Sequence, residues 1–96
     1  MIYIEELKNF KLSVETRLIF ALDERAQTFG LHFFVPASTL ARDVGSSETT
    51  VRRTLNDFKD QGLLKINEEI WLNPDVFSGG NRSYERAYQK QTNKRT

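Results

Sequence analysis

The spacing Ala41-x3-Gly45-x5-Val51 constrains this 96-residue chain more than any other feature. A small residue at position 41 lets two helices approach closely. Glycine at position 45 reaches the left-handed backbone conformation without steric cost, so it can turn the chain sharply between them. The branched Val51 then locks the second helix against the first. Leu40 and Val44 before the turn, with Leu55 and Phe58 after it, supply a shared core. Ser38 and Ser47 are suited to cap the two helices. Glu48 sits just inside the second, where the helix dipole favours a negative charge. The stretch Ser38 to Gly62 therefore predicts two helices packed at a steep angle across a tight turn, the helix-turn-helix arrangement.

The flanking segments complete a fold around this pair. Ser13 is suited to cap an earlier helix. In it Val14, Leu18, Ala21, Leu22 and Ala26 recur at steps of three to four, ending before Gly30. Leu31, Phe33 and Val35 alternate with His32 and Phe34, which predicts a short strand that Pro36 ends. After Gly62, Leu63 to Ile66 and Ile70 to Leu72 read as two strands. Asn67 to Glu69 form the turn between them, giving a β-hairpin. Asn73-Pro74 stops it, because proline cannot donate to a ladder. Asp75 is expected to cap a short turn that folds Val76 and Phe77 back on the core. Ile2 to Ile4 reads either as a strand or as the first turn of a helix. The expected class is α+β, mainly α: a winged helix-turn-helix with three core helices and a β-hairpin wing over residues 1–80. A basic polar tail follows over 81–96. There Tyr84, Ala87 and Tyr88 at helical spacing suggest a short helix that packs on the body or pairs two chains.

Composition narrows the function classes. The chain has no cysteine, which removes disulfides and thiolate zinc sites and suits a reducing cytosol. His32 is the single histidine, so no metal site, cofactor or Ser-His-Asp set is expected and no enzyme chemistry is assigned. The apolar runs Leu18 to Leu22 and Leu31 to Val35 are too short to span a bilayer. Met1 to Glu6 lacks the basic start of a secretion signal, so an intact cytoplasmic chain with no membrane partner is expected. The formal net charge is only +1. The basic surplus is local: Arg82, Arg86, Lys90, Lys94 and Arg95 stand against Glu85 alone in the tail, which leaves the first 80 residues slightly acidic. Attraction to phosphate must then come from placement.

That placement points to the second helix of the pair. With Val51, Leu55 and Phe58 inward, Thr49, Arg53, Asn56 and Asp60 point away and Arg52 lies at the flank. Residues near the N-terminus of such a helix reach base edges in the major groove of double-stranded DNA. Ser47, Thr49, Arg52 and Arg53 are the expected readers, and Thr50 and Asn56 stand beside them. An arginine bidentate to guanine is worth roughly 1–3 kcal/mol of discrimination. Glu48 either accepts from a cytosine amine or serves the helix dipole, the second being preferred. Lys65 and Asn67 on the hairpin, in the minor groove, with Arg82, Arg86 and Lys90 in the tail, are expected at the backbone. Glu68 and Glu69 at the hairpin tip repel phosphate, so the wing either stands clear of DNA or meets a protein. Trp71 is read as hairpin packing rather than a ligand platform. Helix-turn-helix proteins often read palindromes as two-fold dimers, so a homodimer is expected, through the first helix or the Tyr84 to Tyr88 segment.

The segment Trp71-Leu72-Asn73-Pro74-Asp75-Val76-Phe77-Ser78-Gly79-Gly80-Asn81 carries a more specific likeness. It resembles the end of the winged-helix domain in RepL-type plasmid replication proteins, where an aliphatic-Asn-Pro stretch with a following Phe and Gly comes after the second wing strand. Pro36 to Ile66 is similar to the helix-turn-helix of that group and of many bacterial regulators. The likeness covers roughly Ser13 to Asn81. It implies a replication initiator or copy-control protein of a plasmid or phage that binds its origin and recruits a host replication protein. Such initiators act by binding and supply no catalytic residues. The alternatives are a transcriptional repressor that uses the same helix and a winged-helix protein-interaction module.

Overall fold

Ser13 opens the first helix as its sequence suggests. The Ser13 hydroxyl accepts from the Thr16 amide at 3.2 Å, and the backbone turns helical over Val14–Phe29 (α1). The computed structural model describes residues 12–92. The expectation for Ile2 to Ile4, and Lys94 and Arg95 of the tail, lie outside them. Within α1, Leu18 and Leu22 are fully buried and Ala21 and Ala26 pack at the margin of the core. Gly30 closes the helix at a φ of 90°, its amide donating to the Ala26 carbonyl.

The next segment keeps the expected alternation. Leu31, Phe33 and Val35 are buried while His32 and Phe34 are exposed. Only His32–Phe33 (β1) is a strand, shorter than the five residues expected, because its partner runs out. Phe33 pairs with Ile70, and the partner strand begins one residue before Ile70, at the tip of the hairpin. Pro36 also occupies the position expected of a capping side chain. Helix Ala37–Val44 (α2) starts from Pro36, whose carbonyl accepts from Thr39 and Leu40, and no side chain caps it. Ser38 therefore lies inside the first turn, exposed, rather than at the cap. Proline's fixed φ sets the extended residue that enters the helix, so no hydroxyl is needed there.

Gly45 adopts the left-handed conformation (φ 68°, ψ 41°), and the Ser46 amide closes back on the Ala41 carbonyl at 2.9 Å. Helix Glu48–Asp60 (α3) follows, with Ser47 as its cap. Val51, Leu55 and Phe58 are buried as expected. Thr54 is buried with them, its hydroxyl satisfied by the Thr50 carbonyl at 2.8 Å. A buried hydroxyl is tolerated when a helical carbonyl one turn back accepts its proton.

Strands Leu64–Asn67 (β2) and Glu69–Leu72 (β3) pair antiparallel, and β1 joins the other edge of β3, giving the order β1-β3-β2. The three-residue turn expected at Asn67 to Glu69 tightens to Glu68 alone, which takes a φ of 63°, since Asn67 and Glu69 pair with each other. One face of the sheet presents Phe33, Leu64, Ile70 and Leu72 to the helices. Helix Arg82–Lys90 (α4) packs on the other face. The class is thus α+β and mainly α, with four helices and one small antiparallel sheet among the described residues.

Asn73 joins these layers. Its amide donates to the Leu63 carbonyl, its Nδ2 to the Gly62 carbonyl, and its Oδ1 accepts from the Asp75 amide. The turn cap expected of Asp75 is therefore made by Asn73, which lies two residues earlier where an Asx turn needs it. Phe77 folds into the core, whereas Val76 remains 56% exposed.

Tyr84 is the main tie between α4 and the sheet. Its hydroxyl lies 2.9 Å from the Leu31 carbonyl and 2.6 Å from that of Leu72, donating its proton between them. Burial raises its pKa well above the ordinary tyrosine value, with neighbouring Tyr88 adding to the shift; burial first and Asp75 second raise that of Tyr88. A neutral phenol held in the fold and ionising only at higher pH contributes stability that is present below pH 10 and lost as pH rises beyond it. Tyr84→Phe should lower stability near neutrality by about 1–2 kcal/mol and flatten the alkaline loss, both read by urea denaturation at a series of pH values.

Candidate nucleic-acid interface

The N-terminal half of α3 collects the polar surface expected to meet a ligand. Glu48, Thr49, Arg52 and Arg53 are exposed, and Ser47 stands at the cap. The buried stripe of Val51, Thr54, Leu55 and Phe58 fixes this outward direction. Asn56 is half-buried, deeper than an outward-pointing reader. The C-terminal half of the same face turns acidic at Asp57 and Asp60, both exposed. A polyanion can therefore approach the N-terminal half of α3 and is repelled from the other.

Local pairing decides which of these groups is free. The Ser47 hydroxyl accepts from the Thr50 amide at 3.2 Å and donates to the Thr50 hydroxyl at 2.8 Å. Both side chains are thus engaged in capping, and Thr50 is half-buried. Glu48 forms an ion pair with Arg52 one helical turn away. It serves both the helix dipole and that arginine. Arg53 has no ion pair among the described residues, so of the two adjacent arginines on α3 it is the one left unneutralised. The exposed pair Glu48–Arg52 is worth only about 0.3–0.5 kcal/mol, so a stronger ligand displaces Glu48 readily.

Arg42 of α2 is a further exposed cation and was not singled out from sequence. It is exposed in the last turn before Gly45. The signal was available, since Leu40, Ala41 and Val44 facing inward leave position 42 outward. The neighbouring Asp43 is held by Arg25 of α1 at 2.9 Å and adds no net charge there.

The remaining expected contacts lie elsewhere. Lys65 projects from the outer face of the sheet, its Nζ donating to the Tyr88 carbonyl at 2.8 Å and resting 4.4 Å from the Tyr88 ring centroid. It anchors α4. Asn67 does the same through Gln91 at 3.0 Å. On that face His32 stacks on Trp71 at 4.4 Å, with Tyr84 at 6.0 Å from each ring. His32 Nδ1 pairs with Glu69 at 2.9 Å, which ties the start of the third strand to the first. Arg82 and Arg86 are exposed on α4, one turn apart and in line with Lys90, opposite the face that Tyr84 and Tyr88 give to the sheet. An open groove of about 490 Å³ beside them is lined by Pro74, Asp75, Glu85, Arg86, Gln89 and Lys90, with charges of both signs. Among the described residues no cluster of His, Asp or Glu could hold a metal ion, and no helix is long and apolar enough to cross a membrane.

Comparison of the chain with models of known families, with curated protein sequences and with solved structures finds no match.

The geometry separates capping from reading. Ser47→Ala should cost about 1 kcal/mol of stability, measured by chemical denaturation, because it removes the α3 cap. A stability equal to that of the parent chain would return the Ser47 hydroxyl to the role of a free reader.

Proposed function

We propose that the chain is a winged helix-turn-helix domain that binds double-stranded DNA with sequence specificity and acts by binding rather than catalysis. The observation that carries this reading is the α2–Gly45–α3 unit. It holds the exposed N-terminal half of α3, with Thr49, Arg52 and Arg53, clear of the core, and Arg42 is exposed in the last turn of α2 before it. In this reading α3 lies in the major groove, where Arg53 meets a guanine edge and Thr49 a phosphate or a thymine methyl. Arg52 exchanges Glu48 for DNA on binding. The helix bearing Arg82 and Arg86 supplies phosphate contacts that position the domain without reading sequence. Lys65, spent on Tyr88, supports that helix instead of touching DNA.

The biological setting proposed is replication initiation or copy control on a plasmid or phage, following the likeness of the Asn73-Pro74 segment to RepL-type proteins. A transcriptional repressor would use the same surface, and a footprint at an origin or at a promoter separates the two. Tyr84 and Tyr88 are occupied within the chain, so a homodimer would form through α1 or another face. Partnership with a host replication protein belongs to the initiator reading.

Arg53→Ala tests the assignment. Against a fragment spanning the protein's own gene and flanks, fluorescence anisotropy should show a loss of specific affinity of about tenfold or more, with the melting temperature unchanged. Affinity for a scrambled fragment should fall much less. Equal binding of both fragments by the parent chain would instead favour a protein-interaction module.

A further inference from the structure

Arg17 of α1 is the cation that the fold accommodates least well. It is half-buried next to the fully buried Leu18. Its Nε is buried without a hydrogen-bond partner, the side-chain nitrogen or oxygen so placed among the described residues. A buried donor left unpaired destabilises a fold, and a methionine would fill similar space without that penalty. The charge is not offset either. Asp43 and Glu48, the carboxylates on either side of the turn in sequence, are paired with Arg25 and Arg52. Arg17 has no ion pair among the described residues.

Its position gives this arrangement a use. Nη1 of Arg17 lies 3.7 Å from the point a Cβ on Gly45 would occupy, so the guanidinium rests against the turn, two residues before the α3 cap. Packing around the stem and Nε fixes where the charge stands. The absence of a side chain on Gly45 leaves the turn low enough for a ligand to come close. A guanidinium offers several donors in a rigid plane that matches phosphate oxygens.

We infer that Arg17 contacts a DNA backbone phosphate at the turn between α2 and α3, through its Nη donors, and so fixes the depth and register of α3. This rests on the DNA-binding reading above. The ligand class is a phosphodiester. The contact positions the domain and carries no sequence information. It also places a backbone contact on α1, an element that none of the base readers occupies.

The test is the salt dependence of binding, measured by anisotropy for the full chain and for Arg17→Met and Arg17→Lys, each with the own-gene fragment and a scrambled one. Thermal melts are recorded in parallel. Arg17→Met should weaken binding to both fragments by the same factor and reduce the slope of log K against log salt by roughly one. Its melting temperature should equal or exceed that of the parent, since the unpaired buried donor is gone. Arg17→Lys should keep most of the slope. A parent-like slope and affinity in Arg17→Met would overturn the inference, as would lost affinity with an unchanged slope and a lowered melting temperature. If the parent chain binds neither fragment, the DNA reading itself fails, a result distinct from a binding parent with a silent Arg17.

Discussion

The left-handed turn at Gly45 is the constraint on which the site depends. It lets α2 stop at Val44 and α3 start at Glu48 while Leu40, Ala41, Val44, Val51 and Leu55 share one core. A residue with a Cβ would strain this backbone even though space exists for the atom, the nearest neighbour being Arg17 Nη1 at 3.7 Å. The penalty would be conformational rather than steric. Because the turn is tight, the start of α3 is held by hydrogen bonds from both sides: Ser46 to Ala41 before it and Ser47 to Thr50 within it. The outward direction of Arg53 follows from that rigidity.

The sheet does a second job by being covered on both faces. Its inner face completes the helical core, and its outer face carries His32, Trp71 and Lys65 in register across the three strands. Such a polar and aromatic face could stand in water, yet α4 closes over it with Tyr84 and Tyr88. The Tyr84 hydroxyl satisfies carbonyls at Leu31 and Leu72, where the sheet gives way to loops. The basic residues of α4 then face outward on a docked helix, where their direction is fixed.

Much of this was legible in the sequence, and the failures have physical causes. Apolar periodicity located α1, α2 and α3, and glycines marked their ends, because burial and φ > 0 are local demands. The alternation at Leu31 to Val35 gave the right faces but too long a strand, since strand length depends on a distant partner that ends at Glu69. Ser38 and Asp75 were plausible caps that Pro36 and Asn73 replaced by standing at the geometrically correct position. The exposed side of α3 followed from its inward residues, except at Asn56, which is half-buried. The engagement of Lys65 by α4, the pairing of Arg52 with Glu48 and the placing of Arg17 against Gly45 did not, because each joins side chains whose meeting only the fold decides.

The distribution of free charge links the fold to its proposed role. A chain of net charge +1 cannot attract DNA by bulk field, so recognition must use cations left unpaired in one place. Arg17 rests against the α2–α3 turn, Arg42 is exposed in the last turn of α2 and Arg53 in the N-terminal half of α3, while acidic residues occupy the far end of α3. The most direct test is a titration of the 15N-labelled protein with the DNA fragment of its own gene, followed by amide chemical shifts. Docking of α3 on DNA predicts that the largest changes fall at 42–56, with smaller ones around Arg82 and Arg86. Changes confined to the hairpin tip and the groove beside Pro74, or none at all, would contradict it.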